Sequence, residues 1–300
     1  MLGKRGLERR EMIDGYLFAA PWIIGFLVFT LGPMIASLVF SCMDYSVYRP
    51  PEWLGLENYI KILTDDSLFV KSLTNTIYYT FISVPLCMAL ALGCAILLNQ
   101  NIPLQRILRT VYYLPAVTSG VAVSFLWMWI LDPSLGFINR FLELIGIQGP
   151  LWLQCEHWAK PALILMSTWA IGQNIVIYLA GLQGIPQHLY EAAMIDGANT
   201  IQKFRHITLP MMSPTLFFTL VMGIIGTFQV FTQAYVMTEG GPMNATLFYV
   251  LYLYRCGFVW LRLGYASALA WILFVIVLFF TLLVIKSSPM WVYYEASRSR

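Results

Sequence analysis

Six long stretches of nearly continuous apolar residues divide the chain. They lie at residues 17–41, 73–98, 112–131, 159–182, 211–237 and 265–285. A helix needs about 20 apolar residues to cross the hydrocarbon core of a bilayer, and every stretch reaches that length. Backbone polar groups in lipid must be satisfied within the protein, so helices are predicted rather than open strands. The pattern therefore predicts an all-α integral membrane protein with six transmembrane helices in a single domain, residues 1–300.

A seventh apolar run, residues 247–258, is too short to cross a bilayer and contains Arg255. It is predicted to be a re-entrant or interfacial segment. Pro85 and Pro115 fall inside the second and third stretches, where we expect kinks that neighbouring helices tolerate.

The composition agrees with a membrane protein. Hydrophobic residues make up 59% of the chain and charged residues 11%, whereas soluble domains contain about 25% charged residues. The net charge is +3, and no Lys/Arg cluster of the kind that binds nucleic acid is present. The first stretch is too long for a signal-peptide core and is predicted to be retained. A disulfide between Cys155 and Cys256 is left open, because both cysteines fall in segments expected outside the membrane.

The distribution of Lys and Arg predicts the orientation. If both termini are cytoplasmic, eleven of these cations lie inside and seven outside, although the outer segments are together the longer. Positive charge is enriched on the cytoplasmic side of membrane proteins. Both termini are therefore predicted to be cytoplasmic.

The sequence predicts secondary structure for the loop between the fourth and fifth stretches, residues 184–210. Pro186 suits the first turn of a helix, because its missing N–H is not needed there. A short helix is predicted over residues 188–195, and Gly197 follows where a helix ends in a left-handed residue. From Thr200 a second helix leads into the fifth stretch. The loop is predicted to be a helix, a sharp turn and a second helix.

The residues of this loop resemble the EAA loop of bacterial ABC import permeases. The matching positions are Glu191-Ala192-Ala193, Asp196-Gly197-Ala198, Phe204, Ile207 and Leu209-Pro210. The sequence has Asn199 where Ser is usual and Ile201 where an aromatic residue is usual. The resemblance implies the fold of a type I ABC importer permease.

The same resemblance implies a role for the loop, which in that family docks on a separate ATPase subunit. The residues that it assigns to coupling are Tyr190, Glu191, Ala192, Ala193, Asp196, Gly197 and Ala198. The alternative is an amphipathic helix lying on the bilayer surface, which normally has a basic polar face. Glu191 and Asp196 occupy the first helix instead, which favours docking.

Shorter motifs are similar to the carbohydrate-uptake branch of these importers, specifically the first of its two permeases, of the maltose and glycerol-phosphate type. They occur at residues 57–59, 75–76, 238–242 and 291–295. The resemblance implies uptake of a sugar across a prokaryotic cell (inner) membrane. The implied partners are a second homologous permease, two ATPase subunits and an extracytoplasmic solute-binding protein.

The chemistry within the spans also bears on the mechanism. Asp and Glu are absent from the middle of all six stretches, which argues against an ion-coupled secondary carrier. No phosphate-binding G-x-x-x-x-G-K-[ST] motif occurs, so the ATPase is expected on another chain and this subunit is not expected to be an enzyme. No catalytic, metal or cofactor site is predicted.

Uncharged amide and aromatic side chains at membrane depth are the candidates for the solute path, because such groups bind sugar hydroxyls and sugar ring faces. They are Trp169, Gln173, Asn174, Gln229 and Gln233. The alternative is that the amides form hydrogen bonds between helices. Two other functions are weighed against sugar import: an ABC permease for a phosphorylated polyol, peptide or amino acid, and a stand-alone secondary carrier.

Overall fold

The computed structural model describes residues 4–100, 103 and 105–293. Tyr294 and Glu295 of the C-terminal motif, and Arg298 and Arg300 of the charge count, lie outside the described residues. Two compact units are present. The first comprises the chain up to Asp65 together with Leu253–Ile272, and the second comprises the remainder.

The N-terminal part of the first unit is a long helix followed by a small hairpin. Its elements are α1 (Lys4–Phe26), a π-helical turn (Leu27–Leu31), α2 (Gly32–Ser41), the antiparallel strands β1 (Met43–Ser46) and β2 (Arg49–Trp53), and α3 (Glu57–Thr64). The hairpin was not anticipated from the apolar pattern, since it falls between two predicted spans.

A buried asparagine joins the helices of this unit. Asn58 Nδ2 donates to the carbonyl oxygens of Ser41 and Met43, at 3.0 and 2.9 Å. The hydroxyls of Tyr59 and Ser41 are hydrogen-bonded at 2.7 Å. The motif at residues 57–59 therefore fastens α3 to the end of α2.

The helices that follow α3 are α4 (Ser67–Leu98), α5 (Gln105–Val117), α6 (Gly120–Ile130), α7 (Phe137–Leu144), α8 (Glu156–Ser167), α9 (Gly172–Gln183), α10 (Gln187–Ile195), α11 (Thr200–Lys203), α12 (Leu209–Phe228), α13 (Thr232–Met237), α14 (Tyr249–Tyr254) and α15 (Leu263–Ser287). The last two helices contribute residues to both units. Short π-helical turns at Phe204–Thr208 and Arg255–Val259 follow α11 and α14.

Four continuous helical segments are long and apolar enough to cross a membrane. They are Glu8–Ser41, Ser67–Leu98, Thr200–Met237 and Leu263–Met290. Two further segments qualify only as bent pairs, Ile107–Val117 with Gly120–Ile130 and Glu156–Ala170 with Gly172–Gln183. If each pair is one span, the described part of the chain has six spans, and each contains one predicted stretch, the third to within one residue.

The third predicted stretch, residues 112–131, is two helices rather than one. α5 and α6 meet at 101°, a far sharper change than the kink expected at Pro115. Proline lacks the N–H that would continue the helix and clashes with the preceding turn. Ser119 then adopts an extended conformation, with φ −57° and ψ 132°, and α6 starts in a new direction. Pro115 lies inside α5 two residues before that helix ends, whereas α4 continues from Pro85 as far as Leu98.

The core of the second unit lies where α4, α9 and α12 pack together. Its buried residues are Ala91, Ala95, Leu98, Ile175, Tyr178, Leu182, Ile185 and Met212. The hydroxyls of Tyr178 and Thr219 are hydrogen-bonded across two of these helices at 2.7 Å. The small alanines of α4 let the other two helices approach closely, as is usual where helices pack in membranes.

Candidate functional site: the EAA loop and the cavities

The first helix of the EAA loop, α10, begins directly after Pro186. Proline fixes its own φ, here −60°, and its ψ of 127° places it just before the helix as the N-cap. The Leu189 N–H donates to the Pro186 carbonyl at 3.2 Å. The predicted helix is present, but it starts at Gln187 and the proline precedes its first turn.

The turn that ends α10 is a Schellman motif. Gly197 has a φ of +77°, which an L-residue with a side chain adopts only at a cost. Its N–H donates to the Met194 carbonyl at 3.1 Å, and the Ala198 N–H donates to the Ala193 carbonyl at 2.8 Å. These two bonds satisfy carbonyls that the helix end would otherwise leave unpaired. The left-handed glycine predicted from the sequence is present.

The second helix of the loop begins with a capping box. The Asn199 side chain accepts from the Gln202 N–H at 2.9 Å, and the Asn199 N–H donates to the Gln202 side chain at 2.8 Å. Asparagine and serine are both good N-cap residues. Asn199, where Ser is usual, therefore makes the cap that this position requires.

Most of the residues assigned to coupling lie on the surface of this loop. Glu191, Ala192, Asp196 and Gly197 are exposed, whereas Ala193 and Ala198 are half-buried. Large apolar side chains beside them are also exposed, with Ile195 at 86% and Ile201 at 75%. Such exposed apolar residues indicate a contact surface.

Tyr190 differs from the other coupling candidates because it is half-buried and points back into the loop. Its hydroxyl is hydrogen-bonded to the Thr208 hydroxyl at 2.9 Å. Tyr190 therefore fastens α10 to the π-helical turn before α12 and acts as a positioning residue.

A groove of about 340 Å³ runs between the two helices of the loop. Its lining residues are Ala193, Asp196, Gly197, Ala198, Gln202, Lys203, His206 and Ile207. Four of the seven coupling candidates line this groove.

Two cavities lie among the helices of the second unit. The larger, of about 240 Å³, is lined by Trp169, Gln173 and Gln233 together with Tyr79, Pro115 and other residues of α5, α6 and α8. The smaller, of about 190 Å³, includes Asn174. Ser167 and Ala170 line both cavities, so the two are adjacent.

Four of the five solute-path candidates therefore line a cavity. The fifth, Gln229, lines neither of the two cavities: it is exposed at the C-terminal end of α12. The sequence suggested it because of its position in the fifth stretch, but α12 ends there and the chain turns.

The break between α8 and α9 brings Trp169 and Gln173 to the cavity wall. The Trp169 and Trp127 rings meet edge to face, with centroids 5.6 Å apart. A Cβ atom at Gly172 would lie 2.0 Å from the Tyr112 carbonyl oxygen. Only glycine allows the start of α9 to approach the backbone of α5 this closely.

A third cavity, of about 610 Å³, lies among loops at the end of α6. Its lining includes Asp132, Gln154, Thr238, Glu239, Gly241 and Pro242. Asp132 Oδ1 accepts from the Leu135 N–H, the Ser134 hydroxyl and the Ser134 N–H, which together hold the pKa of this carboxyl below its usual value. Sequence reasoning singled out residues 238–242 but missed Asp132 and Gln154, which no motif marks.

The segment at residues 238–252 overlaps the run at residues 247–258 that is predicted to be re-entrant or interfacial, and the name re-entrant hairpin refers to that prediction. It contains a cis peptide between Gly241 and Pro242, and its helix α14 is too short to cross a bilayer. Asn75 Nδ2 donates to the carbonyl oxygens of Asn244 and Leu247, at 2.8 and 3.1 Å. The hairpin is thus attached to the second span, α4.

Two more bonds complete this attachment. The Tyr249 N–H donates to the Thr76 hydroxyl at 2.9 Å, and the Tyr252 hydroxyl donates to the Asp66 carboxylate. Asp66 also caps α4 by accepting from the Phe69 N–H at 3.0 Å. The sequence pointed to residues 75–76 only by resemblance; the structure shows that these side chains hold the hairpin.

The cysteines do not form a disulfide. Cys155 and Cys256, the pair left open by the sequence, are both free thiols.

Comparison with known proteins identifies the family. A model described as "Binding-protein-dependent transport system inner membrane component" matches residues 71–288, which is more than half of the chain. The chain belongs to this family. The prediction of an ABC import permease from the EAA loop is confirmed, and with it the all-α fold.

Individual relatives of the family cover nearly the whole chain. The probable ABC transporter permease protein YesP of Bacillus subtilis is 44% identical over 96% of this chain and 94% of its own length. The arabinooligosaccharides transport system permease protein AraP of the same organism is 35% identical over 95% and 92%. A chain of a bacterial alginate ABC transporter, solved in complex with an alginate pentasaccharide-bound periplasmic protein, superimposes with a TM-score of 0.82 at 26% identity, covering 96% of this chain and 97% of its own.

Proposed function

We propose that this chain is the permease subunit of an ABC importer that carries a sugar or oligosaccharide into the cytoplasm. The observation that carries the proposal is the pair of adjacent cavities, whose linings contain amides, hydroxyls and aromatic rings but no charged side chain among the described residues. Such walls suit an uncharged polyhydroxylated surface. The relatives named for arabinooligosaccharides and for lactose, the latter 36% identical over 91% of this chain, support the same solute class.

The solute path that we propose runs through these two cavities. Trp169, Gln173 and Gln233 all line the larger cavity. The aromatic ring covers a sugar C–H face, and the amides exchange hydrogen bonds with its hydroxyls. Asn174 continues the path into the smaller cavity. Gln229 lies outside both linings and stays a sequence-based candidate.

The EAA loop is proposed to dock on a separate ATPase subunit through its exposed surface. Ala192 and Glu191 present the outer face of α10, and the groove between the two helices receives a partner side chain next to Gly197. The Schellman motif and the capping box hold the two helices at a fixed angle, so a push on α10 is passed to α12. Substrate passes without chemistry, and ATP hydrolysis takes place on the partner chain.

The proposed assembly contains this permease as a single membrane domain, a second homologous permease, two ATPase subunits and a solute-binding protein outside the cell membrane. Six spans place both termini and the EAA loop on the same side, which we assign to the cytoplasm from the eleven-to-seven distribution of Lys and Arg. The larger loop cavity at Asp132 and Glu239 then faces outward.

Reconstitution tests this proposal. The chain is assembled in liposomes with its partner permease, ATPase and binding protein. ATP hydrolysis and uptake are measured with arabinose oligosaccharides, lactose, trehalose, alginate oligosaccharides, glycerol phosphate, an oligopeptide and amino acids. Stimulation by one of the saccharides is expected. Stimulation only by a peptide, an amino acid or glycerol phosphate would refute the sugar assignment, and uptake by this chain alone without ATP would refute the coupled mechanism.

A further inference from the structure

The smaller membrane-depth cavity has a wall that the sequence did not mark. The second span, α4, contributes Ser83 and Cys87 to it, together with Asn174 of α9 and Thr219 and Thr227 of α12. The cavity volume of about 190 Å³ is that of roughly six water molecules in the liquid. One sugar ring occupies a space of this order.

Ser83 is the unusual member of this lining. Its side chain is 1% exposed, and its hydroxyl has no hydrogen-bond partner within the described part of the chain. A buried hydroxyl without a partner is unfavourable, since it has lost its hydrogen bonds to water and gained none in return. Such a group at a cavity wall therefore calls for a ligand that supplies the missing bond.

The other hydroxyls of the cavity already donate within the protein. Ser167 donates to the Ile164 carbonyl at 2.6 Å and Thr227 to the Gly223 carbonyl at 2.7 Å. Thr219 is engaged with the Tyr178 hydroxyl. Hydrogen-bonding capacity thus remains at Ser83 of α4 and at the Asn174 amide of α9, which line the same cavity.

We propose that Ser83 and Asn174 form a subsite that binds one hydroxyl-bearing ring of the solute, so that α4 is a third wall of the transport path. The inference rests on the proposed function, because the ligand is the solute of that path. A serine hydroxyl both donates and accepts, and an amide does the same through two atoms, so the pair fits neighbouring sugar hydroxyls. Neither group is charged, which suits an uncharged part of the ring.

The helix itself offers a matched control. Thr80 lies one turn before Ser83, is 2% exposed, and its hydroxyl also has no partner within the described residues. Thr80 lines neither membrane-depth cavity. Ser83→Ala and Thr80→Val therefore remove the same kind of buried hydroxyl, but only the first changes the cavity wall.

Uptake by the complete transporter is the first readout. The saccharide that the wild-type complex transports in the panel above is used at saturating binding protein. Ser83→Ala is expected to lower the uptake rate about 3- to 10-fold, the equivalent of one hydrogen bond, whereas Thr80→Val stays within about twofold of wild type. Thermal unfolding of both variants in detergent is the control for instability, and both are expected to unfold near the wild-type temperature.

Cys87 provides a second readout that does not depend on a variant. Its sulfur lies in the same cavity, 3.4 Å from the Ser167 hydroxyl. Alkylation by N-ethylmaleimide is followed at the Cys87 peptide by mass spectrometry, with and without the transported saccharide during turnover. Slower alkylation of Cys87 with sugar present is expected. Cys94, on the same helix but outside this lining, is expected to react at an unchanged rate.

The outcomes distinguish failure of the subsite from failure of the proposed sugar import. Equal uptake by wild type, Ser83→Ala and Thr80→Val, with no protection of Cys87, would overturn the subsite and leave sugar import intact. If uptake is equal and Cys87 unprotected, but the unfolding temperature changes for Ser83→Ala alone, the Ser83 hydroxyl binds a fixed water instead of the solute. That outcome also overturns the subsite. Transport of no saccharide at all would overturn both the subsite and the proposed function.

Discussion

The EAA loop and the re-entrant hairpin are both short helical segments outside the spans, yet they are held in opposite ways. In the EAA loop the Schellman motif and the capping box join residues no more than five positions apart. In the re-entrant hairpin the bonds to α4 join residues separated by 169 to 186 positions. The EAA loop is therefore shaped by bonds among its own residues, and the re-entrant hairpin by its bonds to α4.

This difference has a mechanical meaning. A loop whose bonds are internal keeps its shape when it moves, so it transmits a displacement as a rigid body. A segment whose backbone is bonded to a neighbouring span keeps its place relative to that span. The EAA loop is therefore suited to coupling, and the re-entrant hairpin to forming a fixed wall beside the cavity at Asp132.

The largest effect is expected from Gly197→Pro. Proline has a φ near −65° and no N–H, so it fits neither the φ of +77° nor the bond to the Met194 carbonyl. Breaking the turn should separate α10 from α12 and reduce uptake by more than about tenfold. A tenfold reduction corresponds to a loss of about 1.4 kcal/mol in the coupling free energy. ATP hydrolysis and uptake in the reconstituted complex measure the loss.

Gly146→Pro is the matched control for this substitution. Gly146 has a φ of +78°, and its N–H donates to the Glu143 carbonyl at 3.0 Å, but the turn lies after α7, away from the EAA loop. Coupled uptake should persist in this variant. An equal loss in both variants would show that the effect is one of folding and not of coupling.

Asn75→Leu is expected to lower the stability of the fold and to have less effect on uptake than Gly197→Pro. The change removes the amide that donates to the carbonyls of Asn244 and Leu247, of which the first keeps a bond from the Leu247 N–H at 3.3 Å. It also removes the acceptor of the Lys160 ammonium at 3.1 Å. Buried groups left unpaired cost about 1–3 kcal/mol each, so the free energy of unfolding should fall by about 2–4 kcal/mol. Thermal unfolding in detergent measures it, and amide hydrogen exchange should accelerate at residues 244–249.

Asn99→Leu is the comparison for this variant, because Asn99 is exposed at the other end of α4. It should change stability by less than about 0.5 kcal/mol. If the amides of residues 244–249 exchange at the same rate in Asn75→Leu as in wild type, the bonds from Asn75 are not what holds the re-entrant hairpin.

Tyr190→Phe tests the hydroxyl pair that joins residues 18 positions apart in the EAA loop. Loss of the hydroxyl pair with Thr208 should weaken the seating of α10 by about 1 kcal/mol, which corresponds to about a fivefold change in the population of the seated loop. Uptake per ATP hydrolysed should fall while global unfolding remains nearly unchanged. Thr208→Val removes the same bond from the other side and should give the same loss; different losses would argue against the pair.

The smallest effect is expected at Asn199. Asn199→Ala removes the N-cap and should destabilise the start of α11 by about 1 kcal/mol, visible as faster amide exchange at Gln202. Asn199→Ser keeps the acceptor and should exchange like wild type. A slow rate in both variants would mean that the preceding turn, not the cap, positions the second helix.

The same contrast explains what the sequence predicted well. The EAA loop follows local rules: a proline before the helix, a glycine after it and a capping residue before the next helix. Each of these acts on its own few residues, so the order of helix, turn and helix was predicted correctly. The apolar stretches were equally local signals, because the length of a span depends on the bilayer rather than on its neighbours.

The re-entrant hairpin and the cavities depend on contacts between distant segments, which one sequence does not reveal. Asn75 is one amide in a long apolar helix, and nothing nearby shows that it bonds residues 244 and 247. Ser83 looks like a small residue of a span until its unpartnered hydroxyl is seen at a cavity wall. Gln229 is marked only by its place along the fifth stretch; it is the exposed C-cap residue of α12 and lines neither cavity.

The contact between Gly172 and the Tyr112 carbonyl has a consequence for changing what the protein carries. Both residues are close in sequence to the lining of the larger cavity: Gly172 precedes Gln173, and Tyr112 stands three residues before Pro115. The two backbones meet there with no room for a side chain. The spacing of α5 and α9 at this point changes only when the two helices move apart, and a different rotamer or a smaller residue elsewhere leaves it unaltered. Redesign for bulkier solutes would therefore have to begin with the bends of the two spans, and substitution of the lining side chains would adjust affinity within a size that the backbone already sets.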